Sequence, residues 1–364
     1  MTLSADQIAR LRLIRSENVG PVTYFQLIAR FGSAARALSA IPDLAARGGG
    51  RAPRIAGRAQ VEREMEAVAG QGAEYLFLGS PEYPPLLAEL ETAPPALIVK
   101  GHRHLLTRTA IAMVGARNAS AAACRFARQL AQGLGEAGAV VVSGLARGID
   151  SAAHDGSLAS GTVGVIAGGI DITYPPENEA RQAAVAEQGL LIAEQPPGTE
   201  PRARHFPYRN RIIAGLSHGT VVVEAAPKSG SLITARYAAE FGREVMAVPG
   251  SPLDPRAQGC NLLIREGATL VQNAADVMEA IRPLHLGGPL GQPRNPYADP
   301  PAPADAQEAE RRTVTDLLGP VAVPVDEIVR QSGLPPATVQ TILLELELGA
   351  RLERHAGGKV SLLS

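Results

Sequence analysis

The stretch Ala110-Ile111-Ala112-Met113-Val114-Gly115-Ala116-Arg117-Asn118-Ala119-Ser120, continued to Asp150, decides how the chain is read. Five apolar residues predict a strand over 110–114. Residues 115–120 are small and polar enough for a turn, 121–137 predict a helix, and 139–142 predict a second strand. That strand runs into Ser143-Gly144-Leu145-Ala146-Arg147-Gly148-Ile149-Asp150. Strand, glycine turn, helix, strand is the βαβ unit of a doubly wound sheet, whose ligands lie beyond the carboxyl ends of the strands. Both loops fall at that edge, and each combines glycine with one arginine. That composition suits an anionic group, a phosphate in particular.

The alternation continues downstream. A helix over 151–160 precedes a strand over 163–166 and the loop Ala167-Gly168-Gly169-Ile170-Asp171-Ile172-Thr173-Tyr174-Pro175. A helix over 178–187 leads to a strand over 190–192, then to a long loop, 194–207, and a short helix over 209–216. The strand 220–223 ends at Glu224 and is followed by Lys228-Ser229-Gly230-Ser231, a helix over 232–241 and a strand over 244–248. Near-continuous Val, Ile and Ala strands separated by helices imply a parallel sheet covered on both faces. The expected fold is therefore α/β, a Rossmann-like, doubly wound and mainly parallel sheet over 96–282.

Residues 1–95 predict a helical domain followed by an extended connection. Ile8, Leu11, Leu13 and Ile14, then Asn18-Val19-Gly20-Pro21, then Tyr24, Leu27 and Ile28 outline a helix-hairpin-helix. A plain helical adaptor fits the same pattern, because no Lys or Arg follows the turn. The segment 75–78 predicts a short strand. Residues 283–308, rich in Pro, Gly and Ala, predict a flexible linker. Residues 309–364 predict helices, one with Val339, Ile342, Leu343 and Leu346 on a single face, and a closing hairpin, the outline of a winged helix. Its candidate recognition helix carries Glu345 and Glu347 and no basic residue. Protein contact therefore suits it better than DNA reading.

The bulk composition bounds these readings. The 364 residues are 45% hydrophobic, and a formal net charge of −1 excludes a polycationic coat while leaving room for a local basic groove. No apolar run reaches membrane-spanning length, so no membrane association is expected. The first fifteen residues carry Asp6, Arg10, Arg12 and Arg15 and lack the apolar centre of a signal peptide. Two cysteines make neither a metal motif nor a disulfide framework, and a cytoplasmic location follows as the expectation.

The loops carry the candidate chemistry. Gly115, Arg117 and Ser120 combine a close-approach turn, a cation and a helix start. Ser143, Gly144, Arg147 and Gly148 repeat that logic, with Asp150 read as a helix cap and His154 as packing or ligand. Arg202, Arg204, His205, Arg209, Asn210 and Arg211 surround Phe206 and Tyr208, a mixture of cations and rings suited to a single strand. Lys228, Ser229, Gly230 and Ser231 open another helix directly after a strand. A row of such loops fits a polymeric anion better than one nucleotide. No Ser-His-Asp order, metal cluster or cofactor motif is present. Glu194 and Glu224, ending strands read as neighbours, are the one candidate carboxylate pair for acid–base work, the alternative for Glu194 being a salt bridge to one of the nearby arginines.

Taken in order, these motifs resemble the DNA-processing protein A (Smf) family. The resemblance rests on Val114-Gly115-Ala116-Arg117, on residues 143–154, on Gly168-Gly169-Ile170-Asp171-Ile172-Thr173-Tyr174-Pro175-Pro176-Glu177-Asn178 and on Phe206-Pro207-Tyr208-Arg209-Asn210-Arg211-Ile212-Ile213. It continues through Ser229-Gly230-Ser231-Leu232-Ile233-Thr234-Ala235, Val248-Pro249-Gly250-Ser251 and Gly259-Cys260-Asn261-Leu262-Leu263-Ile264. It implies a non-enzymatic protein of natural transformation that binds and protects incoming single-stranded DNA. It further implies a homodimer formed through the Rossmann-like domain and a contact with RecA recombinase that helps load it. The family's DNA pocket maps onto Gly115, Arg117, Arg147, Arg209, Asn210, Arg211, Lys228 and Ser231. A nucleotide-processing enzyme or nucleotide sensor on the same fold is the alternative, and an interaction scaffold is a third. The Pro-Gly-Gly-x-Gly-Thr signature of related nucleotide hydrolases is absent, its closest counterpart being Ala167-Gly168-Gly169-Ile170-Asp171.

Overall fold

A computed structural model describes residues 3–286, 305–355 and 357–363. They divide into two compact units, one built from residues beyond 63 up to the end of the first described block, the other from 3–63 together with 305–363.

The first unit is a nine-stranded sheet. Its strands are β1 (Glu74–Phe77), β2 (Ala96–Gly101), β3 (Ala110–Val114), β4 (Val140–Ser143), β5 (Thr162–Ile166), β6 (Leu190–Ala193), β7 (Gly219–Val222), β8 (Glu244–Ala247) and β9 (Thr269–Leu270). They lie in the order β1-β2-β6-β5-β4-β3-β7-β8-β9. From β6 to β9 every pair is parallel, with Val114 opposite Val222 at the centre, while β2 joins β6, and β1 joins β2, antiparallel. The winding starts at β3, proceeds outward through β4 to β6, and then resumes on the other side at β7. The crevice beyond β3 and β7 is thus the topological switch point, where such sheets take ligands.

The β-branched and small residues of these strands are buried on both faces, which is what a parallel sheet under two helical layers requires. Ile111, Met113, Val141, Val221 and Met246 pack against Leu130 and Leu134 of the helix Ala121–Glu136 and Ile149 of the helix Ile149–Ser157. Each such side chain contributes about 1.5–3 kcal/mol through burial.

The second unit begins with the helices Ala5–Ile14, Pro21–Phe31 and Ala34–Arg47. Ser4 caps the first by accepting from the Gln7 amide, and Pro21 starts the second where a missing N–H costs nothing. Its other part has the helices Glu308–Asp316, Val325–Ser332 and Pro336–Leu348 and a three-stranded sheet, β10 (Val323–Pro324), β12 (Lys359–Leu362) and β11 (Leu352–His355) in spatial order. This is a winged helix, with β11 and β12 forming the expected hairpin.

Two boundaries differ from the expectation. The strand expected over 75–78, placed with the amino-terminal domain, is β1 of the central sheet and pairs antiparallel with β2 at the start of the central domain, Leu76 opposite Leu97. Residues 283–286 of the expected linker finish the helix Ala274–Leu286, residues 305–307 lead into Glu308–Asp316, and the remainder of that linker lies outside the described residues. The helical amino-terminal domain and the winged helix, both as expected, lie within one compact unit.

Candidate nucleic-acid interface

The loops after β3, β4, β5, β6 and β7 meet at the carboxyl edge of the sheet, and the helix His205–Gly215 lies across them. That helix begins earlier than residue 209, so Phe206 and Tyr208 sit in its first turns rather than in a loop. From it, Arg209 Nη1 donates to the Val165 carbonyl of β5 at 3.3 Å, and Asn210 Nδ2 donates to the Gly230 carbonyl beyond β7 at 3.4 Å. One helix therefore ties the two sides of the switch point together.

The β3 loop is held from below. Ala116 N–H donates to the Glu224 carbonyl at 2.7 Å, and Ile149 N–H to the Ala116 carbonyl at 3.3 Å. A Cβ on Gly115 would lie 2.5 Å from Ile149 Cγ1, so this position needs glycine for packing. Gly148 has φ +72°, and a Cβ there would stand 2.2 Å from the Ala116 carbonyl oxygen. Both the sign of φ and the space demand glycine at Gly148.

Of the anion sites that the sequence offers here, one helix start and one loop are filled by carboxylates of the protein. Ser120 caps the helix Ala121–Glu136 by accepting from Ala123 N–H at 3.1 Å, and its hydroxyl donates to Glu224 Oε2 at 2.7 Å. Ser120 N–H donates to Glu224 Oε1 at 3.0 Å, so Glu224 occupies this positive helix end. At the next loop, buried Asp150 accepts from the Gly144 and Ala146 amides at 3.1 and 3.4 Å. Gly148, not Asp150, is the N-cap of the helix Ile149–Ser157, so the cap reading of Asp150 gives way to a carboxylate that folds the preceding loop. Within that loop Leu145 takes a left-handed φ of +53°, held by Asn178 Nδ2 donating to its carbonyl at 2.7 Å.

The helix start after β7 is different. At Ser231–Glu240 the cap is Gly230, with no side-chain cap and open space around it; Ser229 and Ser231 hydroxyls pair at 2.7 Å, and Lys228 is exposed. No carboxylate of the described residues sits there.

The expected cations separate into two kinds. Arg209 is buried, its guanidinium filling the space over Gly144, where a Cβ would lie 1.3 Å from Nη1. Burial lowers its pKa to about 10, with Asp150, 4.0 Å away, opposing and Arg117 adding to the shift. Burial also raises the Asp150 carboxyl, against the pull of Arg209. Arg209 stays charged at neutral pH, and its Nε has no partner among the described residues. Arg211 is buried as well, paired with Glu194 and donating to the Thr92 carbonyl, and so does not reach the rim. Ser143 is likewise internal, its hydroxyl donating to the Met113 carbonyl at 2.6 Å. His154 is buried against Thr162, Nδ1 to Oγ1 2.8 Å, and burial lowers its pKa to about 3, so it is packing.

On the surface the picture reverses. Arg117 is exposed, with its guanidinium carbon 5.1 Å from the Phe206 ring centroid, and Arg209 approaches the same ring at 6.0 Å. Neither Arg117 nor Lys228 has a carboxylate partner among the described residues, whereas Arg147 is paired with Glu177. Tyr174 packs 5.5 Å from Phe206, ring to ring, and remains 46% exposed; Tyr208 is 50% exposed. Tyr174 was not singled out from the sequence, although an aromatic inside a short loop of small and polar residues is a usable signal. Glu194 and Glu224 end β6 and β7, which are separated by β5, β4 and β3, and each is held by its own partner. The carboxylate pair expected from the sequence does not form. Among the described residues no group of three or more His, Cys, Asp and Glu is placed to hold a metal, and no helix is long and apolar enough to cross a membrane.

Comparison with known proteins places the chain. The family described as DNA recombination-mediator protein A matches residues 74–282, a DprA-like N-terminal HHH domain matches 4–67, and a DprA winged helix domain matches 298–358. The DNA processing protein DprA of Streptococcus pneumoniae is 46% identical over 54% of this chain and 70% of its own length, and that of Bacillus subtilis 43% over 61% and 76%. Protein Smf of Escherichia coli is 38% identical over 77% of this chain and 75% of its own. The solved structure of the Streptococcus pneumoniae protein superposes with a TM-score of 0.61 at 34% identity, covering 77% of this chain and 98% of that one. DNA processing protein A from Helicobacter pylori, solved for its single-stranded DNA binding mode, gives 0.52 at 28% identity, covering 57% and 94%. The chain belongs to the DNA recombination-mediator protein A family, that of DNA processing protein A and Smf.

Proposed function

We propose that this protein binds single-stranded DNA along the carboxyl edge of its central sheet. The observation that carries the reading is the cluster of Arg117, Phe206 and Arg209 beside the open helix start at Lys228-Ser229-Gly230-Ser231, joined to it by Asn210. Arg117 and Lys228 are cations without counter-ions, suited to backbone phosphates. Phe206, Tyr174 and Tyr208 offer ring surface to bases that a duplex would keep stacked. At the helix start after β7 the first amides are bonded to Ser229 and Gly230, and Lys228 with the Ser229 and Ser231 hydroxyls is what it offers a phosphate. Arg209, Arg211, Ser120, Ser143, Gly144, Gly148 and Gly115 shape this edge rather than line it, while Arg147 joins the strand by releasing Glu177.

The single-stranded DNA binding described for the Helicobacter pylori relative supports the same reading. We further assign to the chain the family role inferred from its motifs: protection of incoming DNA during natural transformation, loading of RecA recombinase, and a homodimer formed through the central domain, in the cytoplasm and without enzymatic turnover. Gel shifts with single- and double-stranded oligonucleotides across a salt series test the binding site. Preference for the single strand, falling steeply with salt and weakened by Arg117→Ala, is expected; equal binding of a mononucleotide and a long strand overturns it in favour of a nucleotide sensor or enzyme.

A further inference from the structure

Two segments of this chain carry the outline of a duplex-binding motif: the hairpin turn Asn18-Val19-Gly20 between the first two helices, and the helix Pro336–Leu348 at the position of a winged-helix recognition helix. A hairpin grips a backbone through exposed turn amides, and a recognition helix needs a free face to enter the major groove. In the second unit the helix is not free.

The helix Pro336–Leu348 is exposed only in its first turn, and from Val339 onward it lies between two cores. Val339, Ile342, Leu343 and Leu346 fill the winged helix itself, whereas Leu344 and Leu348 belong to the core of the amino-terminal helices, with Tyr24, Leu27 and Ile41. Polar contacts follow the same seam. Gln26 Nε2 donates to Gln340 Oε1 at 3.0 Å, and Arg30 Nη1 to Thr341 Oγ1 at 3.4 Å. Glu345, fully buried, is held by Arg311 through two bonds of 2.8 and 3.0 Å. The hairpin turn touches the winged helix only through Asn18, and Gly20 faces open space. Asn18 Nδ2 donates to the Leu348 carbonyl at 3.3 Å, Glu17 N–H to the Arg54 carbonyl at 3.1 Å, and Val19 is buried.

The seam is also close at the level of backbone. A Cβ on Gly48 would lie 2.1 Å from the Glu345 carbonyl oxygen, and one on Gly50 would lie 1.9 Å from that of Gly349. Contacts this near admit no side chain, so they mark a fixed fit rather than a loose encounter. Asp305 adds an ion pair to both Arg30 and Arg47.

We propose that the amino-terminal helical bundle is the resident partner of the winged helix: it covers the recognition-helix position, and the two form one cooperative module whose helix Pro336–Leu348 is closed to duplex DNA. The absence of any Lys or Arg from Pro336–Leu348 agrees, since a helix committed to protein contact has no phosphates to meet. This assignment stands apart from the reading of the central sheet, which supplies the strand-binding edge by itself.

Hydrogen exchange on the full chain tests it. In the wild type, a double-stranded oligonucleotide is expected to leave exchange over residues 336–348 unchanged. Gly50→Val is expected to remove protection from 21–47 and 336–348 together, with 110–114 and 219–222 retaining theirs. Protection of 336–348 by duplex in the wild type overturns the proposal. So does loss of protection in only one of the two segments, or in neither. Should Gly50→Val fail to fold, Leu348→Ala, which leaves the backbone fit intact, is judged by the same pattern.

Discussion

The edge of the central sheet and the seam of the terminal module are both built on glycine, but they use it in opposite directions. At the sheet edge Gly115 and Gly148 let loops pack down on one another and Gly144 admits the Arg209 guanidinium, while Arg117 and Lys228 stand outward with no carboxylate partner among the described residues. At the seam Gly48 and Gly50 let backbone meet backbone, and the recognition-helix position turns inward. A DNA-binding outline in sequence is therefore no measure of a DNA-binding surface. What separates the two is whether the protein's own groups already satisfy the amides and cations.

The same distinction divides residues within the edge, and four substitutions sharpen or break it. The largest effect is expected for Arg211→Ala. It leaves half-buried Glu194 without its partner, and the chemical-denaturation midpoint should report a loss of about 3 kcal/mol. An unchanged midpoint would move Arg211 out of the scaffold and back among the rim groups.

Next is the buried ring of His154. Its folded pKa, about 3, lies below the ordinary value of 6.5, so the fold holds the neutral form. The stabilisation is complete above about pH 6.5 and is lost as pH falls toward 3, at about 1.4 kcal/mol per unit. Between pH 7 and 5 the wild type should lose about 2 kcal/mol more than His154→Gln does. Parallel curves for the two proteins would show that the ring takes up its proton without cost.

Arg117→Ala should behave in the reverse way to Arg211→Ala. Stability should change by less than about 0.5 kcal/mol. Oligonucleotide affinity should fall roughly tenfold, about 1.4 kcal/mol, with the salt slope shallower by about 0.7. Smallest of all is Arg147→Ala. Its pair with Glu177 is exposed and screened, so the thermal midpoint should report less than about 1 kcal/mol. A large loss there would mean that the β4 loop depends on this pair rather than on Asp150.

Much of the architecture is legible in the sequence, because a strand buried on both faces must be a run such as Ala110–Val114 or Leu190–Ala193. The antiparallel addition of β1 and β2 is not, since Pro84-Pro85 and Pro94-Pro95 between and before them read as extended connection and no local pattern tells a strand which neighbour it will find. Arg209, Arg211 and Arg117 look alike in sequence. Only the fold shows that two of them lie beneath the surface, over Gly144 and against Glu194. The terminal seam is hidden for a related reason: Val339, Ile342, Leu343 and Leu346 mark one apolar face of the last helix, and nothing in the sequence tells that Leu344 and Leu348 serve another core.

Glu224 has a consequence of another sort. Its carbonyl and its carboxylate both clasp the turn after β3, so the spacing between the two halves of the crevice is set by a group that takes no part in outward contacts. Scaffold and recognition are thereby decoupled. The outward side chains can be exchanged as a set while the clasp stays in place, and the same platform can be re-tuned toward a different polyanion by editing little more than Arg117 and Lys228.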